Sequence, residues 1–135
     1  MRRSVMMTAL ALLAAACGGD QPGESAGPSR PVQPGDCVEI IAGDGSASVG
    51  YFTDSVEVEA DGRPITICFD NRDEGVPHNI AIATEHGGEL LFSGEVVEGP
   101  AIVRYELPDL EPMTYHYHCE VHPDTMTGTL AIVAL

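Results

Sequence analysis

Between Tyr115 and Gly128 the sequence runs Tyr-His-Tyr-His-Cys-Glu-Val-His-Pro-Asp-Thr-Met-Thr-Gly, which places a thiol, an imidazole and a thioether within eight residues, at Cys119, His122 and Met126. All three are metal-seeking side chains. A cysteine thiolate and a neutral imidazole suit copper, and a thioether favours a soft, Cu(I)-like ion over calcium, magnesium or manganese. The residues before the loop alternate as a strand does, with Tyr115, Tyr117 and Cys119 on one face and His116 and His118 on the other. The loop therefore begins where a buried strand face ends. A trigonal site of two histidines and one cysteine with a weak axial methionine needs one more imidazole. His78, in Val-Pro-His-Asn-Ile, is the best candidate.

Val76-Pro77-His78-Asn79 followed about 40 residues later by Cys119-x-x-His122-x-x-x-Met126 resembles the cupredoxin family, the single-domain blue copper proteins of the plastocyanin, amicyanin and azurin kind. The resemblance covers roughly residues 37 to 135, one sandwich domain of about 100 residues. It departs from plastocyanin in having one residue fewer between His122 and Met126. It implies an all-β, Greek-key β-sandwich holding one type 1 copper on His78, Cys119, His122 and Met126, and an electron-transfer role with redox partner proteins. Asn79 matches the family residue that ties the two ligand segments together by hydrogen bonding. The edge of His122 is expected at the surface amid an apolar rim of Val76, Pro77 and Pro123, and His118 stands where plastocyanins carry a surface tyrosine.

The elements that must position these residues are short strands. Val38 to Ile41 alternates, and Gly43-Asp44-Gly45-Ser46 breaks the chain. Val56, Val58 and Ala60 alternate with Glu57 and Glu59, Asp61-Gly62 turns, and Ile65, Ile67 and Phe69 point inward while Thr66 and Cys68 point outward. Asp70 to Gly75 is a polar loop leading to His78; Ile80 and Ile82 then continue on His78's face. Glu85-His86-Gly87-Gly88 turns the chain, and Leu90 to Phe92, Ile102 to Leu107, Thr114 to Cys119 and Thr127 to Val133 complete about eight strands with no helix, a pattern that predicts a sandwich.

The N-terminus has a different character. Arg2 and Arg3 precede an apolar run from Val5 to Ala16, so residues 1–16 are expected to be a signal peptide, too short to span a membrane. Ala14-Ala15-Ala16-Cys17 resembles a bacterial lipobox, which predicts lipidation at Cys17, although ordinary signal-peptidase cleavage is the plainer alternative. Residues 17–36 follow as a Gly- and Pro-rich linker without apolar periodicity. From Cys17 onward the chain carries four positive and 21 negative charges, net −17. That sign excludes nucleic acid as a partner, and it suits a basic redox partner such as a cytochrome or oxidase as well as it suits mere solubility. Location is accordingly expected to be periplasmic or otherwise extracytoplasmic, with the domain lipid-anchored to a membrane surface.

Of the four cysteines, Cys17 is assigned to lipid and Cys119 to metal. Cys37 and Cys68 are left as a possible disulfide in an oxidising compartment. Against it, the first and third strands of the resembled fold run parallel, so a cysteine at the start of one and near the end of the other would be far apart. Both readings stay open on the sequence. His116 and His118 are expected to be solvent-facing strand histidines, His86 an exposed turn residue, and Met113 a packing residue of core or rim. Two other functions compete with the carrier. One is a copper-binding or delivery protein that does not cycle electrons. The other is an enzyme, since copper nitrite reductases also place a histidine immediately before the copper cysteine, where it binds a second, catalytic copper. Structural zinc is weaker, because zinc sites seldom use methionine.

Overall fold

The computed structural model describes residues 37–135. The expected signal peptide, the lipidation at Cys17 and the linker lie outside the described residues. Ten strands and one four-residue helix follow in order: β1 (Cys37–Ala42), α1 (Ser46–Val49), β2 (Ser55–Ala60), β3 (Thr66–Asn71), β4 (Pro77–His78), β5 (Ala81–Ala83), β6 (Leu90–Ser93), β7 (Val97–Glu98), β8 (Ala101–Glu106), β9 (Thr114–His118) and β10 (Thr127–Ala134). They form a three-stranded sheet in the order β1-β3-β8, a five-stranded sheet in the order β2-β10-β9-β5-β6, and the small pair β4-β7. β1 runs parallel to β3 and β2 parallel to β10; the other pairings are antiparallel.

Alternation explains which faces meet. Val38 and Ile40 of β1, Ile67 and Phe69 of β3 and Tyr105 of β8 are buried against Val58, Ile82, Tyr115, Tyr117, Leu130 and Ile132 of the larger sheet, forming one core. At about 25 cal/mol per Å² of apolar surface, burial of this set is the main driving force for the sandwich. Ile80 and Ile82 are buried with His78, as their shared face predicts, but Asn79, Ala81 and Ala83 are buried too. β5 lies between β9 and β6, so both of its edges are paired. Gly128 shows how tightly the larger sheet is packed. It stands opposite Tyr117 in the β10/β9 register, and a Cβ there would run into the tyrosine ring.

Two expectations change. The additional strands β4 and β7 are two residues each, with only Pro77–Glu98 and His78–Val97 paired, too short for any periodicity to reveal. The break after β1 contains α1, entered through Gly45 at φ 81°, a left-handed conformation that glycine tolerates best.

Cys37 and Cys68 are bonded, with Cα atoms 5.5 Å apart. The strands are parallel, yet the objection to pairing fails on register. Thr66, the first residue of β3, lies opposite Cys37, so Cys68 is only the third residue of its strand, opposite Glu39 and diagonal to its partner. Both cysteines alternate away from the core and share the outer face. The bond closes a separation of 31 residues, which in the loop-entropy account stabilises by about 3–4 kcal/mol. The Cys37→Ser/Cys68→Ser variant is therefore expected to lose about that much in denaturant unfolding with an otherwise unchanged fold; an unshifted midpoint would contradict the assignment.

Candidate metal centre

The alternation of β9 buries Tyr115 and Tyr117 and delivers Cys119, the next inward residue, to full burial at one end of the sandwich. From there the chain makes a single compact turn. The Met126 N–H donates to the His122 carbonyl at 3.0 Å, closing an i to i+4 turn, and the Cys119 N–H donates to the Met126 carbonyl at 3.0 Å. This is the physical meaning of the His-x-x-x-Met spacing: one helical turn returns Met126 to the cysteine, fully buried. The turn is braced from outside by the Thr125 hydroxyl, which donates to the Ala47 carbonyl of α1 at 2.7 Å.

His78 arrives from β4, also fully buried. Its Nε2 lies 2.8 Å from Asp73 Oδ2. An ionised carboxylate only accepts hydrogen bonds, so in a neutral ring Nε2 carries the proton and Nδ1 keeps its lone pair. That Nδ1 is 3.8 Å from Cys119 Sγ, and His122 Nδ1 is 4.0 Å from the same sulfur. The three ligand atoms all lie within 4.8 Å of one another. Donors bound about 2.0–2.3 Å from one first-row ion are about 3.5–4 Å apart, so the two sulfur–nitrogen separations already suit a shared ion. His122, by contrast, is only partly buried, between the exposed Val121 and Pro123. Pro77 is exposed and Val76 partly so, while Met113 lies exposed at the surface rather than in the core.

The two ligand segments are joined by Asn79. Its Oδ1 accepts from the Glu120 N–H at 2.9 Å, and its Nδ2 donates to the Gly94 carbonyl at 2.9 Å and to Glu120 Oε2 at 2.7 Å. The Tyr51 hydroxyl donates to the Asn79 carbonyl at 2.6 Å. The Ser93 hydroxyl donates to the same Glu120 oxygen at 2.6 Å.

Sequence reasoning missed Asp73, Glu120 and Tyr51. Asp73 was one polar residue in a polar loop; its role depends on a fold that points it at His78 and lets the Gly45 N–H donate to its other oxygen at 3.1 Å. The hydrogen bond with His78 holds its carboxyl below the ordinary carboxylate range, and the Gly45 N–H adds to this against the opposing effect of burial.

The same architecture recurs in solved structures. A reduced auracyanin from Roseiflexus castenholzii superposes with a TM-score of 0.60 at 17% identity, covering 72% of this chain and 96% of that one. A purple cupredoxin from Nitrosopumilus maritimus gives 0.56 at 26% identity, covering 70% and 98%. This chain is a cupredoxin in fold. Auracyanin A, described as a "blue" copper protein from Chloroflexus aurantiacus, matches the same sandwich at 0.58 and 19% identity over 76% and 99%. No family model matches the sequence, and no curated protein does. The cupredoxin likeness therefore rests on structure, and at these identities the auracyanins speak for the fold alone.

Asp73→Ala would leave a buried imidazole N–H without its acceptor. We expect it to cost about 1–3 kcal/mol of stability and to weaken metal binding at His78 by about 10–100-fold, as read by denaturant unfolding and metal titration. Unchanged affinity would show that Asp73 does not orient the ring.

Proposed function

We propose that this protein is a type 1 copper electron carrier that cycles between Cu(II) and Cu(I) at the cell envelope. The observation that carries the reading is the fully buried Cys119 sulfur with the Nδ1 atoms of His78 and His122 at 3.8 and 4.0 Å. The donor set fits copper: thiolate and thioether are soft ligands, imidazole is acceptable to both oxidation states, and two histidines, one cysteine and a weak axial methionine are the blue-copper pattern. Copper, when bound, supplies a one-electron couple. The chain's own residues do the rest. His78 and Cys119 shield the site from water, Asp73 fixes the ring that must donate through Nδ1, and Asn79 holds the cysteine segment in place whichever charge the site carries. His122 offers the exposed edge, flanked by Val121 and Pro123, through which an electron could pass to a docked partner.

A delivery protein would need ligands that exchange readily, and three of these four are fully buried. Burial favours retention, and with it a carrier over a delivery protein. The envelope location is supported by the Cys37–Cys68 disulfide, which belongs to an oxidising compartment. The expected export segment and lipidation at Cys17 would add a membrane tether, with residues 17–36 as its leash. A net charge of −17 on the chain from Cys17 would steer a basic redox partner, with an association rate that falls as salt rises.

The Cu(II) protein is expected to be intensely coloured through its thiolate, with a narrow copper hyperfine splitting, and Cys119→Ala to be colourless. A pale Cu(II) adduct with ordinary splitting would remove the carrier reading. Met126→Leu is expected to retain copper and raise the reduction potential in voltammetry; an unchanged potential would mean that the axial ligand is another group.

A further inference from the structure

The outward face of the larger sheet carries a second group of imidazoles. Because β9 turns Tyr115 and Tyr117 into the core, His116 and His118 stand together on the other face. Both are partly buried, with stacked rings whose centres are 5.6 Å apart. β5 lies alongside with Ala83 opposite His116 and Ala81 opposite His118. The turn leaving β5 swings His86 over the same spot, edge-on to His116 at 5.2 Å. That turn is built, not loose. The Gly88 N–H donates to the Glu85 carbonyl at 2.9 Å, the Thr84 N–H to the Glu89 carbonyl at 3.0 Å, and the Glu89 N–H to the Thr84 hydroxyl at 3.1 Å. Sequence reasoning took His116 and His118 as solvent-facing strand histidines and His86 as an exposed turn residue, and raised a second metal for His118 alone, under the enzyme reading, because nothing in the spacing from His86 to His116 shows that the turn folds over β9.

The three rings line a surface cavity of about 330 Å³, with Leu90, Glu120 and Asp124 among its other walls. His118 Nδ1 is buried there with no hydrogen-bond partner among the described residues. Such an atom is uncommon and calls for an explanation. Burial, then the neighbouring His118 and His86, pushes the His116 pKa below its ordinary value.

We infer that His86, His116 and His118 form a second metal site, which takes one borderline divalent ion, Cu(II) or Zn(II), on the outer face of the sheet. Two imidazoles sharing an ion through nitrogens about 2 Å from it have ring centres about 5 Å apart, near the two observed separations. The ring nitrogens of all three do not lie within 4.8 Å of one another, so the rings must turn inward to share an ion. Three imidazoles without a thiolate select copper, zinc or nickel over calcium and magnesium. Glu120 already accepts hydrogen bonds from Asn79 and Ser93, so it contributes negative charge near the ion, and the remaining coordination position faces solvent. The site is distinct from the buried one. His118 and Cys119 are adjacent in sequence, but their side chains leave β9 on opposite faces.

Zinc titration of the full chain by calorimetry, with the histidine ring protons followed by NMR, tests the inference. Wild type is expected to bind two equivalents and Cys119→Ala one, with the His86, His116 and His118 resonances shifting in both. His86→Gln and His116→Gln, each in the Cys119→Ala background, are expected to weaken that remaining equivalent by more than about 100-fold, beyond what loss of an orienting partner alone causes. The inference is overturned if Cys119→Ala binds no zinc, if those resonances do not move, or if neither glutamine variant changes the affinity. A failure of the buried site would instead appear as one equivalent in wild type that survives Cys119→Ala and is lost with His86→Gln.

Discussion

One side-chain amide joins the two halves of the buried centre. Asn79 follows a ligand, Glu120 follows another, and the bonds between them fix the distance from His78 to Cys119 across 41 residues of chain. Asn79 is fully buried, so its amide must find partners or cost about 1–3 kcal/mol, which leaves the arrangement few alternatives. The Tyr51 hydroxyl holds the Asn79 carbonyl, and the Tyr51 ring packs edge-on to Tyr117 at 5.4 Å. Tyr117 in turn immediately precedes His118 and Cys119. The core and the centre are thus continuous: what packs the sandwich also positions the sulfur.

That continuity bears on the chemistry. A site that gains and loses one electron works best when its ligands barely move, and each ligand here is restrained by something outside the ion. His78 is restrained by Asp73, Cys119 by its backbone bond to Met126, and Met126 by its bond to His122. α1 adds a brace at both ends, since the Gly45 N–H that precedes it meets Asp73 and the Ala47 carbonyl within it meets Thr125. The segment that reads in sequence as a simple interruption after β1 is therefore the support on which both ligand loops rest.

β9 is used on both faces. Inward it carries tyrosines and the cysteine; outward it carries two histidines that meet a third from the β5–β6 turn. Strand alternation makes this possible, because neighbouring side chains one residue apart enter different environments. Two chemistries thus sit on one strand without competing for the same space.

The ligand loop was legible because its chemistry is local: Cys119, His122 and Met126 lie within eight residues, and alternation sets the inward face before them. Most strands were legible for the same reason, since period-two burial is written in adjacent residues. What could not be read was whatever depends on register or on a loop's path. Parallel strands seemed to separate Cys37 from Cys68, and only the pairing of Cys37 with Thr66 brings them together. Asp73 and Glu120 are ordinary acidic residues in a chain with 21 of them, and composition cannot pick out the two that meet His78 and Asn79. The sequence by itself determined the donor types and the faces they occupy, because both follow from side-chain chemistry and the pleat. Tertiary structure alone decided which distant residues support them and that three scattered histidines share one cavity, because those distances are set by how strands align and not by how far apart residues lie along the chain.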